Sequence, residues 1–208
     1  MGHISSIDIG GLQKRFKLKT YVELGLGVAD CLQWALQFPF EGFYSVDLDH
    51  ELVDRAEFLK NRATIVCDYS TNFLKEFLPK LDKDNPICLF YDSHFPFSDI
   101  KNLPYSESIE KYRNQALPLE EEVKITAELH NNPGNVYIID DAHLVLTGKE
   151  CHEIGIEHYR NGNGFPDREY AKSLGINLSK DFIYDTWDKT HLIEILPYSQ
   201  GFFVITPK

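Results

Sequence analysis

Five aspartates lie at the ends of apolar runs: Asp47 after "GFYSV", Asp68 after "ATIVC", Asp92 after "PICLFY", and the pair Asp140–Asp141 after "NVYII". If those runs are parallel strands, their carboxyl ends share one edge of a sheet, and the acids converge on one cleft. A single Asp in such a place is as well explained as a loop residue or a helix N-cap. Five in register are harder to explain that way. Carboxylates about 4 Å apart repel by roughly 1 to 4 kcal/mol per pair, depending on the local dielectric. A cation or a hydroxyl-rich ligand would offset that repulsion.

The turn that opens the series is "TYVELGLGVAD", Thr20 to Asp30. A dinucleotide fingerprint requires G-x-G-x-x-G/A with a pyrophosphate on the helix N-terminus. Here Gly25 and Gly27 fit, but Asp30 occupies the third position and Glu23 adds a carboxylate just before the turn. Phosphate is the wrong ligand for such a loop, which disfavours a nicotinamide dinucleotide. S-adenosylmethionine (SAM) suits it: a sulfonium, an ammonium and a ribose diol, with no phosphate. Asp47 stands about 20 residues beyond the turn, the spacing at which an acid accepts from both ribose hydroxyls. Asp68, one strand later, is placed to accept from an adenine amino group.

The elements that must hold these residues alternate in type. Strand-like runs at 20–26, 42–49, 63–70, 86–93 and 135–143 alternate with helical segments at 31–38, 50–62, 71–81 and 118–132. The run at 86–93 is almost continuously apolar, as a buried parallel strand should be. This βαβα rhythm predicts a doubly wound α/β sheet, mostly parallel and seven-stranded. Residues 166–175 look helical, with Gly175 as cap, and 190–207 reads as a C-terminal antiparallel hairpin. Trp34 is expected in the core; nothing places Trp187. The glycine- and asparagine-rich stretch 158–170 reads as a turn. Between strand and helix, 94–116 is too long for an ordinary connection and is expected to be a lid or binding loop. Residues 1–18 form a lead-in to a single domain spanning 1–208.

Bulk properties narrow the function. The chain has 208 residues, enough for one sizeable core, with 43% hydrophobic and 13% aromatic residues. A formal charge of −11, from 32 acids against 21 bases, argues against nucleic acid as a partner. No apolar stretch approaches the roughly 20 residues of a membrane span, and no signal-peptide pattern opens the chain. "MGHISS" fits a myristoylation pattern, but matches so short arise often by chance. Cys31, Cys67, Cys88 and Cys151 lack CxxC spacing; three in apolar surroundings suit a reducing, cytoplasmic setting rather than a zinc site.

In this order, "YVELGLG", "YSVDLD", "VCDYS" and "CLFYDSH" resemble the successive motifs of class I SAM-dependent methyltransferases. More narrowly, Glu23–Gly27, Ser45–Asp47, Cys67–Tyr69, Tyr91–His94, Pro118–Val123 and Ile139–His143 are similar to the motif series of an uncharacterised microbial subgroup with LDAH- and IDDA-type motifs. The resemblance spans roughly residues 12–145. Cys67 replaces a glycine of the subgroup, His143 stands where an arginine is usual, and "FPFSDIKNLPYSESIEKYRNQ" replaces a glycine-rich segment. The resemblance implies a cofactor site at Glu23, Gly25, Gly27, Asp47, Asp68, Tyr69 and Asp92. Sugar O-methyltransferases and cephalosporin-hydroxylase-like proteins of this fold hold magnesium with an acid after the fourth strand and an acidic pair after the fifth. Asp92, Asp140 and Asp141 match that arrangement, with Mg2+ or another divalent cation as an optional cofactor. His94 and His143 would complete the catalytic set with Asp92, as proton acceptors or as ligands of manganese or iron. The plain reading of each histidine is a strand-end residue bonded to a neighbour. Glu121 and Glu122 face the cleft in the resemblance, whereas the run Glu120–Glu122 reads by itself as a solvated helix face, which is preferred.

The leading expectation is a methyltransferase acting on a hydroxyl of a small molecule or sugar, with metal assistance as an option. The rivals are a metal-dependent hydrolase or oxygenase built on Asp92, His94 and Asp141, and a non-catalytic SAM-binding module. A small-molecule acceptor is the expected partner, with no membrane, and a homo-oligomer is compatible with the reading.

Overall fold

The structure is a computed structural model that describes residues 4–156 and 167–208. Met1–His3 of the myristoylation-like motif, and the part of the expected 158–170 turn before Asp167, lie outside the described residues. Seven strands form one sheet: β1 (Thr20–Leu24), β2 (Gly42–Asp47), β3 (Thr64–Cys67), β4 (Ile87–Tyr91), β5 (Val136–Ile139), β6 (His191–Leu196) and β7 (Phe202–Pro207). Their order is β3-β2-β1-β4-β5-β7-β6. The first five run parallel, while β7 pairs antiparallel with both β5 and β6. This is the sheet of the class I methyltransferase fold, with the expected C-terminal hairpin.

Side chains alternate across the central strands as the pleat requires. Val22, Leu89, Tyr91, Tyr137 and Ile139 face one core layer, whereas Tyr21, Cys88, Phe90, Val136 and Ile138 face the other. Both faces are dry, so β1, β4 and β5 are buried along their whole length, which explains their unbroken apolar composition. On the first face lie α4 (Ser70–Phe77) and α7 (Leu119–Leu129). The second is covered partly by α1 (Ile9–Phe16) and α2 (Asp30–Ala35). Asp49 caps α3 (His50–Arg55), its side chain accepting from the Glu51 amide.

Several elements were not legible in the sequence. The 94–116 stretch carries α5 (Ser98–Lys101) and α6 (Tyr105–Tyr112) rather than continuous loop. Helix α1 is hidden in the sequence by the two glycines that follow its first residue, and α8 (Gly148–Ile154) is set by a Thr147–Glu150 capping box. Helix α9 (Arg168–Ser173) matches the expected segment. Helix α10 (Asp181–Trp187) was not anticipated; it stacks Trp187 on Tyr137, centroids 4.3 Å apart. Trp34 is half-buried against Phe38. All four cysteines are free: Cys88 and Cys151 buried, Cys31 half-buried and Cys67 exposed. No helix among the described residues is long and apolar enough to cross a membrane.

Candidate active site

The strand register brings the acids to one edge. Leu24 lies level with Val46 on one side and Tyr91 on the other, and Tyr91 lies level with Ile139. The next residues along these four strands are Gly25, Asp47, Asp92 and Asp140. Strand order reverses between the parallel neighbours β1 and β4, the point where ligands enter open α/β sheets. There Gly25 adopts φ +93°, and a Cβ on it would stand 2.3 Å from the Asp92 carbonyl oxygen. No other residue fits without moving backbone.

A cavity of about 780 Å3, its open mouth included, lies against this turn. Gly25, Gly27, Asp47, Asp68, Tyr69, Asp92 and His94 all line it. Asp47 Oδ2 accepts from the Gly27 amide at 2.9 Å and Oδ1 from the Asp49 amide at 2.8 Å. Burial raises the Asp47 pKa, and these amide bonds oppose the rise. A carboxylate has about four lone-pair sites, so both oxygens retain acceptor capacity. Asp68 Oδ1 accepts from the Tyr69 amide (2.7 Å) and from Asn72 Nδ2 (3.1 Å). Phe95, Pro96, Phe97 and Ile100 form the opposite wall, and Lys101 Nζ reaches across to Asp49 Oδ2 (2.7 Å) and Glu51 Oε2 (3.2 Å). No lysine or arginine is among the described lining residues. The walls therefore fit a phosphate-free adenosine ligand carrying positive charge.

Glu23 takes a different place from the one expected. It has no exposure, its oxygens accept from Ser45 Oγ (2.6 Å) and Tyr21 Oη (3.5 Å), and it does not line the cavity. Burial pushes its pKa up to about 8.

Beyond Asp92 the acids meet a histidine. His94 Nε2 lies 2.7 Å from Asp141 Oδ2, and Nδ1 lies 3.5 Å from Asp92 Oδ1. Asp92, His94 and Asp141 each offer one atom within 4.8 Å of the others. Asp141 is held in the left-handed region at φ 54°, its amide donating to Asp140 Oδ1 at 2.7 Å. Asp140, with one oxygen turned to that amide, stands outside this group. Burial, with neighbouring Asp140, raises the Asp92 pKa; against its own burial, His94 holds Asp141 low. Asp141 Oδ1 is buried and meets no hydrogen-bond donor among the described residues. Two carboxylates, one imidazole and an unbonded buried oxygen fit a divalent cation, with His94 in the place expected for Asp140. His143 is buried behind Asp141, its Nδ1 3.8 Å from Oδ1, and lines neither this cavity nor the one next to it.

The solvated-face reading of Glu120–Glu122 fails for one residue. Glu120 pairs with Lys124 and Glu121 with Lys75, but Glu122 is fully buried. Burial raises its pKa to about 8, partly offset by the nearby Ser70 and Ser93 side chains. Only the third acid of the run turns inward, which a three-residue acidic run does not reveal.

No protein-family model matches the sequence, and no curated protein matches it at a significant level. Solved structures do match the fold. An O-methyltransferase from Bacillus cereus, solved in complex with S-adenosylhomocysteine (SAH), is 12% identical with a TM-score of 0.58. That match covers 100% of this chain and 82% of the other. The O-methyltransferase TomG from Streptomyces achromogenes, involved in tomaymycin synthesis and solved with SAM, is 11% identical with a TM-score of 0.52. It covers 96% and 78% of the two chains. The likeness is one of fold.

Proposed function

We propose that this chain is a SAM-dependent methyltransferase that transfers a methyl group to a hydroxyl of a small molecule or sugar. The observation that carries the reading is the cavity at Gly25, walled by Asp47, Asp68 and Asp92 and free of lysine and arginine. Bound SAM would supply an already activated methyl group, so the protein's task is alignment. Asp47 accepts from the ribose hydroxyls, Asp68 and Tyr69 frame the adenine end, and Asp92 faces the ammonium. His94, oriented by Asp141, takes the acceptor's proton at an imidazole nitrogen; His143 supports Asp141 from behind. Glu23 holds the floor through Ser45. A divalent cation, where used, would be held by Asp92, His94 and Asp141 and would lower the acceptor hydroxyl's pKa.

Residues 94–116 serve in this reading as the lid, with Phe97 and Ile100 over the cofactor and Lys101 as its catch. The chain acts as one domain, in the cytoplasm, where free cysteines persist. Titration calorimetry with SAH tests the reading. The parent protein should bind, and Asp47→Ala should weaken binding by about tenfold or more, the order of 1.4 kcal/mol for charged hydrogen bonds lost. Absence of binding by the parent protein would end it. The Asp92–His94–Asp141 group favours one alternative, a metal-dependent hydrolase or oxygenase; manganese or iron retained on purification without SAH binding would select it.

A further inference from the structure

Two buried histidines lie at the edge of the sheet opposite the cavity, where β4 and β5 begin. His130 ends α7 and His191 opens β6, and both are 0% exposed. Asn135 fixes the first. Its side-chain oxygen accepts from the Ile87 amide at 3.0 Å, so its nitrogen faces Tyr137 Oη (2.9 Å), the His130 carbonyl oxygen (3.0 Å) and His130 Nδ1 (3.2 Å). An amide nitrogen only donates. His130 Nδ1 is therefore an acceptor, and the ring is neutral with its proton on Nε2, 3.4 Å from the Asp82 carbonyl oxygen. A second proton would set N–H against N–H, and turning the Asn135 amide would break the bond to Ile87. His191 reaches the same group from the hairpin: its ring lies 5.5 Å from that of Tyr137, and Nδ1 lies 2.7 Å from Thr190 Oγ1.

We propose that His130 and His191, set around Asn135 and Tyr137, form an acid-sensitive latch that fastens α7 and the C-terminal hairpin to the base of β4 and β5. It goes beyond the methyltransferase reading and does not depend on it. Around His130, Lys83 opposes a positive ring, while Asp82 and the His130 carbonyl favour one. Beside His191, Lys208 opposes it and the Asn135 carbonyl favours it. Tyr137, pushed up to about 12 by burial, stays neutral. Burial is the largest influence on both histidines and lowers both pKa values from 6.5. An opened latch takes up protons at histidine's ordinary pKa while the closed one resists them. The closed state therefore loses stability as pH falls below about 6.5. Strand β6 is outermost and pairs only with β7, so it and the end of α7 part first.

Hydrogen exchange of the full chain, with intrinsic rates divided out, tests this at about pH 7.5 and about pH 5.5, either side of histidine's ordinary pKa. For each ring that stays neutral when latched, that step multiplies opening by up to about tenfold. Peptides spanning 127–135 and 190–197 should lose protection at the lower pH by at least about threefold more than the rest of the sheet. His130→Gln, whose amide can accept from Asn135 and donate to Asp82, should abolish the change in 127–135. His191→Phe, which keeps a ring against Tyr137, should abolish it in 190–197. Glu23 and Glu122 titrate in the opposite sense over this range, so the variants, which leave both acids in place, isolate the histidines. Where a variant does not fold, ring-carbon NMR titration of the parent decides: the His130 and His191 rings should remain neutral at about pH 5.5. Equal protection at both pH values, a loss that persists in the folded variants, or either ring charging at its ordinary pKa would overturn the proposal.

Discussion

Glu23 sits on an interior strand of the sheet, β1, without any exposure, and only two hydroxyls reach its oxygens. Burial lifts its pKa from 4.5 to about 8. Between those values the folded chain holds a proton that the unfolded chain has released, so stability falls as pH rises through that window. Glu122, lifted to the same range, acts in the same direction. Glu23→Gln keeps an oxygen for the Ser45 hydroxyl and removes the titration. Urea denaturation should therefore show a gain for Glu23→Gln at pH 8 of a few kcal/mol, each pKa unit being worth about 1.4 kcal/mol, and little change at pH 4.5. An equal effect at both pH values would contradict the assignment. At this scale the sequence was partly legible. Asp47, Asp68 and Asp92 announced themselves because each directly follows an apolar run, and strand register does the rest. Glu122 did not, because an acid in an acidic run looks ordinary until the packing of its helix is known.

At the scale of elements, the strands and the helices between them follow from periodicity, but short helices do not. Helices α5 and α6 have four and eight residues, too few for a periodic pattern to stand out from a polar stretch. Their placement is tertiary: Phe95 packs edge-on against His94 and Tyr105, and Phe97 stacks on Tyr112 at 5.6 Å. The Lys101 bridge to Asp49 and Glu51 then fastens α5 over the mouth of the cavity. Asp49 is buried while Lys101 is partly exposed, so Lys101→Ala leaves a buried carboxylate one partner short and should lower the melting temperature. It should also raise the dissociation rate of SAH, by roughly two- to fivefold, since about 1 kcal/mol corresponds to that range. Stopped-flow displacement measures it; an unchanged rate would remove the catch from the account.

At the scale of the molecule, the sheet order forces the arrangement. With β1 and β4 adjacent and parallel and the strand order reversing between them, the turn after β1 and the acid after β4 are neighbours whatever the surface does. Asp47 and Asp92 accordingly wall one cavity, and the acids beyond β5 open onto a smaller one beside it. Fold class and the position of the cleft were legible because they depend on strand order and apolar runs. The division of the cleft into two cavities was not, because it depends on α7 turning Glu122 inward and on Leu117, Leu144 and Leu178 closing the far side. The most direct test of the central claim is a crystal structure of the chain grown with SAM. The account predicts ribose hydroxyls within about 3 Å of Asp47, and adenine between Asp68 and Tyr69. Saturating SAM that leaves the Gly25 cavity without ligand, or that binds elsewhere on the chain, would contradict it.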